Sequence, residues 1–460
     1  MSIVAWLFVV RNKKMRKSME NKNTNIYPKA HFTPQTGWMN DPNGLVYHDG
    51  SYELYYQYNP YGVEWNHISW GHAQSTDLLH WENLPVTLTP DEDGYMFSGC
   101  GIRNDQGLLG LPTDALLFFY TAAGHMSAES AGKGFQIMLA VSTDGGKTLQ
   151  KTGRVVLESP AWENRDPKVF WHEESKAYIL VLYLHGQDFG IFRSENLEHF
   201  ELTDRISLEG GYECPDLYAL QVEDSVEKKW VFWSADGSYY VGDFDGYHFK
   251  QTQGRRYAYG TRHPLAYAAQ TWSGVPGERV LGVSWIKSVN VAGVYSGAYT
   301  IPRELGLVHG IFPVDEEEKP QEQYLLTSRI PAEIEEKFTQ TGMLEHTGDS
   351  LDVKDGMLRF SMEDMKNFEL VLEGEEAEVL RISYSSNHGN LIFSYGISGG
   401  FEGIGKAAKD LEILYDRGIL EISANHHMLY KVTDFTELRN RPVSRVVLHD
   451  GDAKITVENL

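Results

Sequence analysis

The chain has almost no cysteine: Cys100 and Cys214 are the 2 in 460 residues. That count excludes a disulfide framework and a four-thiolate zinc site. Positive charge is also scarce, with 41 Lys and Arg against 64 Asp and Glu and a formal net charge of −23. Such a field repels a phosphate backbone, so nucleic acid is not an expected partner. A neutral, hydroxyl-rich ligand would be indifferent to it. Long hydrophobic runs are missing too. The most apolar stretch, Ile3–Val10, falls far short of the ~20 residues a membrane helix needs, and no membrane association is expected. The basic cluster Arg11–Lys17 follows that stretch instead of preceding it, without a small-residue cleavage site. This polarity is wrong for a signal peptide. Met15 and Met19 are alternative starts, and a cytoplasmic location is expected. Among the 17 histidines there is no His-Glu-x-x-His or other clustered ligand set, so neither a metal nor another cofactor is expected. Gly146-Lys147-Thr148 has the ending of a phosphate-binding loop, but Val141 stands where that motif needs its first glycine.

What the chain does carry is aromatic residues, 12% of the total, and repeats. The length suits two domains, and the composition, 42% hydrophobic and 23% charged, is that of a globular protein. Ser75-Thr76-Asp77-Leu78-Leu79-His80-Trp81 is echoed by Ser194-Glu195-Asn196-Leu197-Glu198-His199-Phe200. Weaker copies begin at Ser142 and Asp243. A second repeat runs ahead of the first. Asp41-Pro42-Asn43-Gly44, Asp166-Pro167-Lys168 and Cys214-Pro215-Asp216 each open a short alternating run, a polar turn and a second apolar run. Each reads as an antiparallel hairpin opened by proline.

Repeating units of roughly 50 residues with several short strands point to propeller blades. There is room for five between about residues 30 and 312. An all-β sandwich with hairpins alike by chance is the alternative. The acidic run Asp315-Glu316-Glu317-Glu318 reads as a solvated connector, and alternation resumes beyond it at Leu358–Met362 and Leu411–Tyr415. The expected organisation is an N-terminal extension over 1–26, disordered; a five-bladed β-propeller over 27–314; a linker over 315–338, partly helical; and a C-terminal β-sandwich over 339–460.

The second repeat places a carboxylate at the start of one inner strand in each of three blades: Asp41, Asp166 and Glu213. Inner strands of a propeller converge on a central channel, so three acids remote in sequence are aimed at one centre. Crowded carboxylates cannot all ionise comfortably, and one is held protonated. A protonated acid beside an ionised one is what glycosidic cleavage requires. Each motif alone has a plainer reading, since Asp-Pro-Asn-Gly is a strong turn signal in itself. Cys214 beside Glu213 invites a nucleophilic-thiol reading, but no His lies in its motif, and a buried packing role fits better.

These residues carry a resemblance. Trp38-Met39-Asn40-Asp41-Pro42-Asn43-Gly44, Arg165-Asp166-Pro167 and Glu213-Cys214-Pro215-Asp216 resemble the three signatures of glycoside hydrolase family 32, the invertase, levanase and fructan-hydrolase family. Tyr56–Pro60, Trp70–Ala73, Phe97-Ser98-Gly99 and Ile301–Leu305 match in family order, and Tyr415–Ile422 is similar to part of the family's C-terminal sandwich. The resemblance implies a five-bladed propeller followed by a β-sandwich, a small-molecule or oligosaccharide fructoside as substrate, and hydrolysis of terminal β-fructofuranosyl units with retention. Carried over by motif, Asp41 is the nucleophile, Glu213 the acid and then the base, and Asp166 the transition-state stabiliser that grips fructose hydroxyls. Asn40, Gln57, Trp65, Phe97, Ser98, Arg165 and Trp285 line the fructose pocket. Retention places Asp41 and Glu213 ~5–5.5 Å apart.

Two places depart from the family pattern. Cys100 stands where the family usually has Ser. In the loop Tyr259–Ala268, Asp-Phe-Tyr-Ala is usual, but here the aspartate is missing and Arg262-His263-Pro264 intrudes. This loop should border the leaving-group side, so fructosyl transfer to a sugar acceptor stays open beside hydrolysis. A non-catalytic carbohydrate binder and an inverting propeller enzyme acting on arabinans or xylans are the more distant readings.

Overall fold

The computed structural model describes residues 26–260, 264–312, 320–406 and 408–460. Seven sheets account for nearly all of its regular structure, and five of them follow one another along the first two thirds of the chain. The first is built from Gly37–His48, Ser51–Asn59, Ser69–Ser75 and Glu82–Leu88, paired in that order. The second runs from Tyr95–Arg103 to Gln150–Leu157, the third from Arg165–His172 to Glu201–Ser207, and the fourth from Asp216–Gln221 to Phe249–Gln251. The fifth takes Ala266–Thr271, Val280–Ile286, Arg303–Phe312 and Gln321–Arg329.

Burial grades across each sheet. The second strand of the second sheet, Leu116–Ala123, is buried at every position, because neighbouring sheets cover both of its faces. The fourth strand, Gln150–Leu157, is nowhere buried and opens with the polar run Gln150-Lys151-Thr152. The ring closes through the backbone. Gly37 and Trp38 pair in parallel with Tyr295 and Ser296, and Ser273 bridges Leu45 and Tyr47 by amide hydrogen bonds of 3.1 and 2.8 Å. This is the arrangement of a β-propeller.

The first sequence repeat is the turn between the third and fourth strands. Asp77 Oδ1 accepts from the amides of Leu79 and His80, Asp144 Oδ1 from Thr148, Asn196 Oδ1 from Glu198, and Asp245 Oδ1 from Tyr247 and His248. Each is a side chain imitating a turn of backbone. The second repeat opens the first strand of the first, third and fourth sheets. At the Asp49-Gly50 hairpin, φ of +46° and +82° gives the doubly left-handed turn that matches strand twist.

Beyond residue 338 two six-stranded antiparallel sheets pack face to face. Leu358, Phe360 and Met362 of one meet Leu370, Leu372, Leu380 and Ile382 of the other in a single apolar core, as period-two alternation requires of a β-sandwich. The linker expected over 315–338 needs correction. Gln321–Arg329 is a strand paired along its whole length with Arg303–Phe312, so it belongs to the fifth sheet. Its polar sequence reflects an outermost position, half open to water. A helix follows, only Ala332–Glu335. Residues 315–319, and the N-terminal extension except Ile26, lie outside the described residues.

The two units are clamped by buried charge. His31 Nδ1 lies 2.9 Å from Asp416 and its Nε2 3.1 Å from Glu421. Arg303 bonds Glu421, and the Ile301 amide donates to it at 2.6 Å. Burial alone would lower the His31 pKa, but hydrogen bonds to the two carboxylates lift it to about 9, so the ring is an imidazolium.

Candidate active site

The first strand of the first sheet carries Asp41, the first strand of the third carries Asp166, and the turn into the fourth carries Glu213. They meet. The backbone amide of Cys214 donates to Asp166 Oδ2 at 3.1 Å, and its thiol lies 3.5 Å from the same oxygen and 3.6 Å from Asp41 Oδ2. Among the described residues, donor atoms of Asp41, Asp166 and Cys214 lie within 4.8 Å of one another. Such a group is close enough to hold a cation. Here Ser98, Gln57 and Asn40 already donate to Asp41, and burial keeps the Cys214 thiol protonated, its one S–H shared between the two acids, and not a thiolate ligand. The buried-packing reading of Cys214 therefore omits its hydrogen bonds.

The backbone is bent to make this encounter. Asp166, Glu213 and Cys214 have φ of +61°, +51° and +39°, a left-handed region that costs non-glycine residues of order 1 kcal/mol or more each. The Asp166 amide is held by Thr121 Oγ1 at 3.0 Å, and Thr121 in turn donates to the Ser98 carbonyl at 3.1 Å. Cys100 Sγ accepts from the Val169 amide at 3.1 Å, so the sulfur that replaces the expected serine ties the second sheet to the strand bearing Asp166.

Asp41 sits under a crown of donors. Ser98 Oγ donates to Oδ2 at 2.6 Å, Gln57 Nε2 to the same oxygen at 3.3 Å, and Asn40 Nδ2 to Oδ1 at 3.0 Å. Asn40 also donates to Gln57 Oε1 at 2.9 Å, Gln57 bonds Ser98, and Trp38 Nε1 holds Asn40 Oδ1 at 2.8 Å. Burial nevertheless raises the Asp41 pKa, against the Ser98 hydrogen bond and with the help of Glu213. Asp166, mainly through burial, is pushed up to about 7; Arg165 opposes the shift while the charges of Asp41 and Glu213 add to it. The two acids titrate as a pair that readily keeps one proton.

Glu213 is gripped at both oxygens. Arg165 donates to Oε1 through Nε at 3.1 Å and Nη2 at 2.7 Å, and the Tyr267 hydroxyl donates to Oε2 at 2.8 Å. The Arg165 guanidinium lies over the Tyr183 ring, 4.6 Å from its centre. Phe97 and the 40% exposed Trp65 pack together with ring centres 5.9 Å apart. Trp285 packs on Trp38 at 5.8 Å and on Tyr267 at 6.4 Å. Asn40, Gln57 and Ser98 thus gather on Asp41 and Arg165 on Glu213; Trp285 reaches the site through Trp38 and Tyr267, and Phe97, with Trp65 against it, is joined to it through the next residue, Ser98.

Tyr267, Thr121 and Trp38 were not singled out from the sequence. Tyr267-Ala268 is the part of the Asp-Phe-Tyr-Ala pattern that this chain keeps, which was the available signal. Thr121 is the one aliphatic hydroxyl in the strand Leu116–Ala123, whose other residues are apolar or aromatic. The intruding Arg262 lies outside the described residues.

Crowded carboxylates in a polar funnel, one under donors and one clamped by Arg and Tyr, can supply a nucleophile and an acid across a glycosidic bond. That geometry is of the carbohydrate-active class. Residues 31–322 match the family described as glycosyl hydrolases family 32, N-terminal domain, and the chain belongs to that family. The levanase of Bacillus subtilis (strain 168) is 38% identical over 310 residues, covering 61% of this chain and 44% of the levanase. The invertase of Schizosaccharomyces pombe is 32% identical over 318 residues, covering 62% of this chain and 54% of the invertase. The chain spans about half the length of the curated relatives it matches. In fold, the β-fructofuranosidase from Schwanniomyces occidentalis complexed with fructosyl-erythritol has a TM-score of 0.76 at 22% identity, covering 94% of this chain and 97% of that one. The exo-inulinase from Aspergillus awamori has a TM-score of 0.77 at 23% identity, covering 96% and 99%. These likenesses extend through the sandwich.

Proposed function

We propose that the protein is a retaining exo-β-fructosidase acting on sucrose, levan or inulin-type fructans, its five sheets serving as the blades of a five-bladed propeller. The observation that carries this reading is the meeting of Asp41, Asp166 and the Glu213-Cys214 turn in one funnel. Membership of family 32 and relatives named levanase, invertase and exo-inulinase support it.

In this reading Asp41 attacks the anomeric carbon of the terminal fructose, and the C–O bond to the leaving group breaks as Glu213 delivers its proton to that oxygen. The hydrogen bonds from Ser98, Gln57 and Asn40 position the attacking carboxylate and hold its charge. Asp166 accepts hydrogen bonds from fructose hydroxyls, with Arg165 fixing Glu213 between turns of the cycle. In the second half Glu213, now ionised and held by Tyr267 and Arg165, takes a proton from water as water attacks the fructosyl ester. Two displacements return the original configuration. Incubation with sucrose, inulin and levan tests the reading directly. Free fructose from at least one is expected, and none from any of them rejects it. Oligofructans forming at high sucrose would assign transfer instead of hydrolysis.

A further inference from the structure

We propose that Trp162 is the floor of a second sugar-binding subsite, one that selects fructosides longer than a disaccharide; this deepens the fructosidase reading and rests on it. Trp162 is 57% exposed, although a tryptophan left in water forgoes the burial that its large ring would bring. The ring is not loose. Its carbonyl accepts from the Phe135 amide at 3.1 Å, Ser159 Oγ donates to the Phe135 carbonyl at 2.6 Å, and Ala161 and Asn164 are bonded across the turn. His125 stacks on one face, with ring centres 5.4 Å apart and planes within 10°. The exposure therefore falls on the other face, a flat platform held in place.

This platform is continuous with the catalytic funnel along two lines. Rings run in contact from the pocket outward: Trp65 to Phe97 at 5.9 Å, Phe97 to Phe135 at 5.4 Å, Phe135 to His125 at 5.0 Å, and His125 to Trp162. On the other side, Arg165, which grips Glu213, donates through Nη1 to the Glu163 carbonyl at 2.7 Å. The Glu163 carbonyl, next in the chain after Trp162, thus lies a guanidinium's width and two hydrogen bonds from the acid assigned to the leaving oxygen. Arg165 fills that interval and sets Trp162 back from Glu213, so the platform is placed for a sugar beyond the first leaving-group unit.

The chemistry beside the ring fits the same occupant. A sugar ring offers an apolar C–H face, which stacks on an aromatic surface, and a rim of hydroxyls, which donate to a carboxylate. Glu163 supplies that carboxylate, 58% exposed and 3.5 Å from His125. An anionic ligand is opposed there by Glu163 and by a net charge of −23. A neutral oligosaccharide is not.

The test compares the parent with Trp162→Ala and Trp162→Phe, measuring kcat and KM for sucrose, an inulin-type tetrasaccharide and a levan-type tetrasaccharide. Loss of one stacking contact raises KM for a tetrasaccharide about fivefold in Trp162→Ala, leaves kcat and the sucrose KM unchanged, and is largely restored in Trp162→Phe. A rise confined to one linkage supports the subsite and identifies its occupant. Equal rises for sucrose and tetrasaccharides would assign Trp162 to the fructose pocket and overturn the proposal, as would no change in any KM. Release of fructose from none of the three substrates by the parent would instead reject the fructosidase reading, and the subsite with it.

Discussion

Two clusters of buried charge in this molecule are treated in opposite ways. At the clamp between propeller and sandwich, Asp416 and Glu421 face His31 and Arg303. Burial pushes both acids up, but the hydrogen bonds and charges of the cations outweigh it, and each falls to about 2. In the funnel, Asp41 and Asp166 are also withdrawn from water, yet their nearest charged company includes each other and Glu213, and both are raised. Burial is common to the two clusters, so the sign of the partners decides the outcome. A cluster that only holds structure matches charge with charge. A cluster meant to exchange protons leaves an excess of one sign and tolerates the cost.

The largest test of that contrast is Asp41→Asn. It should lower kcat by at least about 10⁴-fold, as removal of a nucleophile does, while the melting temperature stays level or rises because like charges are relieved. Initial rates and calorimetry on the same sample check both halves. A stability loss matching the activity loss would place Asp41 in a structural role.

Next in size is His31→Ala, which takes the imidazolium away from buried Asp416 and leaves Glu421 with Arg303 as its cation. A loss of about 3 kcal/mol or more in denaturant unfolding is expected, with kcat/KM of the folded protein unchanged. The pH dependence has a definite sign. The His31 pKa is raised in the folded protein, so its contribution is complete below the unfolded value of ~6.5 and is lost as pH rises through about 9. Those of Asp416 and Glu421 are complete above ~4 and are lost as pH falls through about 2. The stability difference between parent and variant, followed from pH 6 to 10, should therefore shrink on the alkaline side.

Tyr267→Phe removes one of the two grips on Glu213. A drop of about tenfold in kcat/KM is expected, the worth of one hydrogen bond to a charged group, together with a displaced limb of the pH–rate profile. A change in KM alone would show that Tyr267 touches substrate and does not tune the acid. The smallest stability effect is that of Asp166→Asn: activity is lost, but the melting temperature at pH 8 should rise by a few degrees. An acid raised to about 7 destabilises the folded state increasingly from its unfolded pKa up to that value. The gain should vanish toward pH 4.

Much of this was legible before the fold was seen, and the rest was hidden for physical reasons. The Asx turns at Asp77 and Asn196 and the proline-led strands at Asp41 and Asp166 are local devices, written in adjacent residues. They carried the repeat, and the repeat carried the convergence of the acids. Gln321–Arg329 was misplaced because an outermost strand needs only weak alternation and resembles a polar connector. The hold of Tyr267 on Glu213 is not legible from its own loop, whose pattern is broken by the missing aspartate, because Glu213 is 54 residues away in the chain. The pairing at the clamp is invisible to any local pattern: Asp416 and Glu421 lie in the segment Tyr415–Ile422 that resembles the family's, but nothing adjacent to them points to His31, which becomes their partner only once propeller and sandwich are docked.

The central claim is that Asp41 bonds to fructose while Glu213 serves the leaving group. It is tested most directly by treating a Glu213→Gln variant with a fructoside whose leaving group departs without protonation, then mapping the modified peptide by mass spectrometry. A fructosyl ester on Asp41, accumulating because its hydrolysis lacks a base, is the predicted result. A fructosyl group on any other residue, or rapid release of product with inverted configuration and no adduct, would contradict it.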